Sequence, residues 1–363
     1  MTGCCGLGAS ARNRGDLLGL ASTDRRRSLA FPPWEGGAGA YEVFWSSCGW
    51  PRSDVTRHTL GAMNGGAGSN SFDLGPMPPT PDVGPSAPNA GTLEPIAPNV
   101  WAWIGNDTPN VGVVVEDDGI TLIDTSFAPS VARALNEALK RFQVPVRRLV
   151  YTSSHVDSVG GSPVFWMAAR YGRSQTNALL DQPVPVEAYR RLVPAFAQEF
   201  DAGFSTRPVS HVVDAAAWLT PLVCAVPVSG HQDENLVVLV PSAGTLFAGA
   251  LGSGNSTPNA WDGDPAVWAD TLGELADQLV SQSTNGVVVG GTGPISSPGH
   301  LRVQQAYLYA CVDAEGDARR IPAGPWDEWS LREFDEVNVE RAKRLSVDDR
   351  DVPTAMLRLL GLA

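Results

Sequence analysis

The order of strand and helix signals predicts an α/β fold, and two observations carry that prediction. Strand hairpins come first, before any helix. A helix and then a strand that runs straight into a polar loop follow, and the same kind of unit recurs in the second half of the chain. A single doubly wound sheet would alternate strand and helix from the start, so that architecture is excluded.

Residues 1 to about 90 are dominated by Gly, Ser, Pro, Ala and Arg and sustain no strand or helix period. They predict a poorly ordered tail, with 62–90 a linker. A start codon assigned too early is the alternative reading. Trp34, Phe44, Trp45 and Trp50 are the aromatics in this segment that would dock onto a body.

Periodicity begins near Leu93. Val100–Ile104 and Val111–Val115 are strand-like, Asp117-Asp118-Gly119 signals a turn, and Ile120–Asp124 is a third strand. Val131, Leu135 and Leu139 recur at helical spacing within 130–142, with Ser130 as the expected N-cap. Arg148–Tyr151 is a strand that enters the polar loop 152–161. Later signals are a helix near 186–200, strands near 223–228, 235–240 and 245–249, and a helix near 265–281. A strand at 287–289, a helix near 299–312 and a charged helix over 330–345 complete the series. The domain plan is a tail over 1–90, a body over 91–315, and a helical extension over 316–363 packed on that body.

The 363 residues are 43% hydrophobic and 18% charged, which fits a water-soluble globular chain that buries its own core. The net charge is -13, and residues 1–70 hold a small positive excess, so the remainder is more acidic still. Such a body opposes nucleic acid and anionic membranes as partners. The five cysteines include no CxxC pair, which predicts a reducing, cytoplasmic setting. No apolar run has the length of a membrane span, and Leu17-Leu18-Gly19-Leu20 is too short for a signal segment.

The loop Thr152-Ser153-Ser154-His155-Val156-Asp157-Ser158-Val159-Gly160-Gly161 resembles the metal-binding loop of the metallo-β-lactamase superfamily, Thr-His-x-His-x-Asp-His-x-x-Gly, with serines at the first and last histidines. Four further landmarks follow the family's order. They are the strand-turn-strand 115–125 ending in Asp124-Thr125, Gly230-His231, the strand 246–250, and 289–294 in place of Gly-His-Gly-Pro. The resemblance covers about 93–310. It implies a four-layer αβ/βα sandwich, two mixed sheets face to face with helices outside.

The resemblance also implies a site. The first metal's ligands match Ser153, His155 and His231. Those of the second match Asp157, Ser158 and Thr292, and the bridging aspartate matches Ala250. Three of seven ligands survive, too few for two ions, because neutral hydroxyls are poor zinc donors. One zinc or iron ion held by His155, His231 and Asp157 is one expectation. The other is metal-free. His155 and Asp157 would then supply acid–base chemistry, His231 the acid partner or an oxyanion donor, and Ser153, Ser158 and Thr292 hydrogen bonds to substrate. Either way the implied activity is hydrolysis of a small ester, thioester, lactone or amide. The rival expectation is a non-catalytic or metal-free descendant: a small-molecule binder, a partner subunit or a polyketide-cyclase-like enzyme.

Several other residues carry weaker signals. No Gly-x-Ser-x-Gly elbow is present. His211 and Asp214 read as a strand edge, His300 as a helix start, and His58 as part of the tail. Trp261, Asp262 and Asp264 precede a helix, where capping is the default role and lining a cleft the sharper one. Trp166 and Met167 are expected in the core.

Overall fold

The computed structural model describes residue 87 and residues 89–362. The predicted tail and linker therefore lie outside the described residues, except at their end. There Ala90 is buried, and its carbonyl accepts from Asn106 N and Thr108 Oγ1.

Seven strands form the first sheet: β1 (Gly91–Ala97), β2 (Val100–Gly105), β3 (Val111–Glu116), β4 (Gly119–Ile123), β5 (Val146–Val150), β6 (Ala169–Gly172) and β7 (His211–Val212), in that spatial order. The first four pair antiparallel and the last three join in parallel. Five strands form the second sheet: β8 (Ala217–Trp218), β9 (Cys224–Pro227), β10 (Leu236–Val240), β11 (Thr245–Ser253) and β12 (Val287–Thr292). Only β11–β12 is parallel there. Both sheets are mixed, as the predicted sandwich requires.

Period-two patterning builds the layers. Val114, Ile123 and Val150 of the first sheet pack with Ala225, Val238 and Phe247 of the second, forming the core between sheets. Their strand neighbours Val113, Leu122 and Leu149 point the other way, onto Val131, Leu135 and Leu139 of helix α1 (Pro129–Leu139). Strands buried on both faces read as near-continuous Val, Ile and Leu, and β4 and β10 do so.

The remaining helices are α2 (Val156–Val159), α3 (Ser174–Leu180), α4 (Val186–Leu192), α5 (Pro265–Gln282), α6 (Pro298–Asp313), α7 (Phe334–Leu345) and α8 (Thr354–Leu359). One carbonyl of the second sheet, Leu251 O, bonds to both α5 and α6, accepting from Trp268 Nε1 and Gln304 Nε2. Among the described residues no helix is long and apolar enough to cross a membrane. Cys224 and Cys311 are buried free thiols.

Several local expectations are corrected. Helix α1 starts on Pro129, whose fixed φ suits a first turn, after Ala128. Ser130 lies inside the helix, and its hydroxyl bonds to Glu199 rather than capping. The helix expected over 186–200 stops at Leu192, because Pro194 cannot continue it, and resumes as a 3₁₀ turn at 194–199. Met167 is 73% exposed rather than core, standing just beyond the 3₁₀ turn Ser162–Phe165, and Trp166 is only half-buried.

Candidate functional site

The chain leaves β5 at Val150 and enters the polar loop, whose first residues are sealed from solvent. Thr152, Ser153 and Ser158 are buried. Their hydroxyls satisfy one another: Thr152 Oγ1 lies 3.3 Å and Ser153 Oγ 3.0 Å from Ser158 Oγ. Beneath them Asp124 accepts from Thr152 N at 2.8 Å and from Thr152 Oγ1 at 2.7 Å. Burial pushes the Asp124 carboxyl up to about 7, although the Thr152 and Ser158 hydrogen bonds favour its charged form. Across the sheet interface Ala250 N donates to Thr152 Oγ1 at 3.3 Å. Gly249 makes this approach feasible. Its φ is +52°, and a Cβ there would stand 2.2 Å from Thr152 Oγ1.

The other half of the site is built from rings and carboxylates. His155 is the residue before α2, in extended conformation, and its side chain is 14% exposed. Its Nε2 donates to Asp262 Oδ2 at 2.8 Å. The ring stacks on Trp261, centroids 5.7 Å apart, and meets the His231 ring edge-on at 4.7 Å. His231 in turn lies edge-on to Trp268 at 5.2 Å. Gly230 permits this, because its φ is +145° and a Cβ would stand 2.5 Å from Trp268 Cα. Gln232 Nε2 also donates to Asp262 Oδ2, at 3.0 Å. Ser154 Oγ donates to the buried Glu234 at 2.9 Å.

The two histidines titrate in opposite directions. Burial alone would lower His155, but the charge and hydrogen bond of Asp262, with help from Asp157 and Glu234, outweigh it and raise the imidazole to about 9. His155 is therefore a cation near neutral pH. Burial, then the neighbouring His155 charge, lowers His231 to about 3, so it stays neutral. Asp157 opens to solvent, yet crowding protein raises its carboxyl while His155 opposes the rise. Asp262 is held below the usual range: burial opposes ionisation, and His155 overcomes it.

His231 Nδ1 and Asp262 Oδ1 are buried and have no hydrogen-bond partner among the described residues. The hydrogen bonds of His155 run through its Nε2, to Asp262, and its backbone N, to Ser153 Oγ at 3.2 Å.

Of the seven positions matched to metal ligands, five are linked through these contacts: Ser153, Ser158, His155, His231 and, through Thr152, Ala250. Asp157 joins electrostatically through His155. Thr292 does not join by hydrogen bond; it is exposed, and its hydroxyl pairs with Ser256 at 3.2 Å. His155, His231 and Asp157 do not form a metal cluster. Among the described residues no group of three His, Cys, Asp or Glu side chains is gathered to hold an ion. The physical reason is local: His155 has turned its ring nitrogen onto Asp262, and hydroxyls stand where further donors would be needed.

For Asp262 the default expectation, capping, is corrected, since its carboxylate meets His155 instead. Capping belongs to Asp264, which accepts from Ala266 N and Val267 N. The available signal was a surplus: the run Trp261-Asp262-Gly263-Asp264-Pro265 offers two aspartates where one cap suffices. His211 and Asp214 lie exposed at the end of the first sheet, and His300 Nε2 is spent on Ser253 O at 2.8 Å.

The comparisons agree on fold. A family model described as the metallo-beta-lactamase superfamily matches residues 104–283. A metallo-beta-lactamase type 2 from Bacillus sp. (strain 170) is 22% identical over 211 residues, 56% of this chain and 76% of that protein. The crystal structure of VMB-1 superposes with a TM-score of 0.50 at 18% identity, covering 62% of this chain and 99% of the other. The mono-zinc form of the metallo-beta-lactamase FIM-1 from Pseudomonas aeruginosa gives a TM-score of 0.48 at 20% identity, with 67% and 100% covered.

Proposed function

The chain belongs to the metallo-β-lactamase superfamily, and from that premise we propose that it hydrolyses a small ester, thioester, lactone or amide by acid–base chemistry of its own side chains. The observation that carries this reading is the His155–Asp262 contact at 2.8 Å, beside a His231 whose Nδ1 has no hydrogen-bond partner among the described residues. A carboxylate behind an imidazole fixes the ring and stabilises its cation, the arrangement that general acids and bases use. The superfamily's zinc pair does not fit the donors present. Four of its seven positions are Ser153, Ser158, Ala250 and Thr292, three hydroxyls and a methyl. No step is therefore assigned to a metal.

Two groups divide the work, Asp157 as base and His155 as acid. Asp157 opens to solvent, and burial raises its carboxyl from the ordinary aspartate value against the opposing charge of His155, which makes its carboxylate form a better base than that of a free aspartate. It takes a proton from water as that water's oxygen bonds to the substrate carbonyl carbon. His155, charged and braced by Asp262, donates a hydrogen bond from Nδ1 to the oxyanion. As the bond from carbon to the leaving group breaks, the His155 proton goes to the leaving atom. The proton on Asp157 then passes to His155 and restores both groups. Neutral His231 contributes an acceptor that orients substrate.

A panel of chromogenic esters and thioesters, with wild type beside the double variant His155→Ala, His231→Ala, tests this reading. The expected outcome is turnover by the wild type that the double variant loses. Equal rates would end it. Saturable binding of the same compounds without turnover would favour the rival reading, a non-catalytic binder, which the four replaced ligand positions favour.

A further inference from the structure

The loop that brings Asp262 to His155 is held from two sides. The family match ends at residue 283; His155, Gln232 and Gly230 hold the loop from within the match, and further groups hold residues 258–263 from beyond it. Asn338, fully buried on α7, accepts from Ala260 N at 2.9 Å and donates to Pro258 O at 2.7 Å. One turn along, Arg341 is 5% exposed. Its guanidinium donates to Gly263 O at 2.8 Å and Asp262 O at 3.3 Å on one side, and to Arg350 O and Asp351 O on the other. Trp261, the ring beneath His155, packs on Val337, Ala355 and Met356 of α7 and α8.

A buried guanidinium is costly unless its donors are met. Arg341 has all its hydrogen bonds on backbone carbonyls, and two of the four belong to Asp262 and the residue after it. Its planar fork suits that task; a lysine ammonium, a single point of donors, does not. The same loop reaches the second histidine, since Asp264 N donates to Gly230 O at 2.9 Å.

We propose that α7 is a positioning element of the site, with Arg341 and Asn338 holding residues 258–263 where the Asp262 carboxylate meets the His155 ring. Neither residue touches substrate; each acts through the backbone of the loop. A 1 Å misplacement of a working group costs about 100-fold in rate, so this support is large enough to matter. The inference takes the His155–Asp262 pair from the reading above, and its test does not depend on turnover.

The experiment uses the full chain labelled with ¹⁵N at its five histidines. The Nε2 proton of His155, hydrogen-bonded to Asp262, gives a downfield imidazole signal that is assigned by its loss in Asp262→Ala. Arg341→Met keeps the stem and removes the fork. The expected result is loss of that signal in a chain that still melts cooperatively, with partial return in Arg341→Lys. Should Arg341→Met fail to fold, Arg341→Lys and Asn338→Ala are read alone, and a displaced or weakened signal is expected in both. An unchanged signal in the folded variants overturns the proposal. With a turned-over ester in hand, kcat falls about 100-fold while KM holds. Loss of the signal without any wild-type turnover keeps the positioning role and removes the hydrolase reading.

Discussion

The two halves of the site make opposite use of their polar atoms. Around Asp124, Thr152, Ser153 and Ser158 the hydroxyls are engaged with one another or with the carboxylate, and the cluster is sealed from solvent. Around His155, His231 and Asp262 buried atoms are left unspent. Buried polar groups without partners cost stability, and natural proteins keep them where they serve a ligand or a reaction. The difference separates structure from chemistry. The first half forms a bracket between the sheets, and the second holds the unpartnered atoms next to which the proposed chemistry is placed.

The largest effect should fall on the unsealed half. Asp262→Ala and His155→Ala each remove the oriented acid and should lower kcat/KM by about 10²- to 10⁴-fold with the fold intact, measured by steady-state hydrolysis beside circular dichroism. Thr152→Val belongs to the sealed half. It keeps the shape but strips the partner from Asp124 Oδ2 and Ala250 N. It should cost about 1–3 kcal/mol in a denaturant titration. Activity loss there without a stability loss would break the contrast.

A smaller effect is the pH dependence. His155 binds its proton more tightly folded, at about 9, than at its ordinary value of 6.5. Its stabilisation is therefore whole below 6.5 and is lost as pH rises through about 9. Asp262→Asn removes the charge that raises it. The gap in Tm between wild type and Asp262→Asn should accordingly narrow from pH 6.5 to pH 9.5, and a constant gap would contradict the ion pair. The smallest effect is expected of Thr292→Ala. An exposed hydroxyl paired to Ser256 predicts a stability change within about 0.5 kcal/mol.

Much of the fold was legible because burial on two faces leaves an apolar run that side-chain periodicity exposes, as in β4 and β10. The weak strands were hidden for physical reasons. β1 carries Pro95 and pairs on one side only, which an edge strand tolerates and a pattern search does not. β8 is two residues, too short for any period, whereas the equally short β7 reads as a strand edge around His211. At the site, His155 and His231 stood out through their motif. Asp262 did not, because its partner is 107 residues away and only tertiary structure selects it over Asp264. Arg341 was equally silent: a buried arginine on a charged helix looks like its exposed neighbours until the carbonyls it serves are placed.

The most direct test of the account is turnover of a chromogenic ester or thioester after exhaustive chelation, with wild type and Asp262→Asn side by side. The account predicts that wild-type hydrolysis survives chelation and that Asp262→Asn is slower by about 100-fold or more. Hydrolysis abolished by chelation and restored by added zinc, with Asp262→Asn at the wild-type rate, would contradict it.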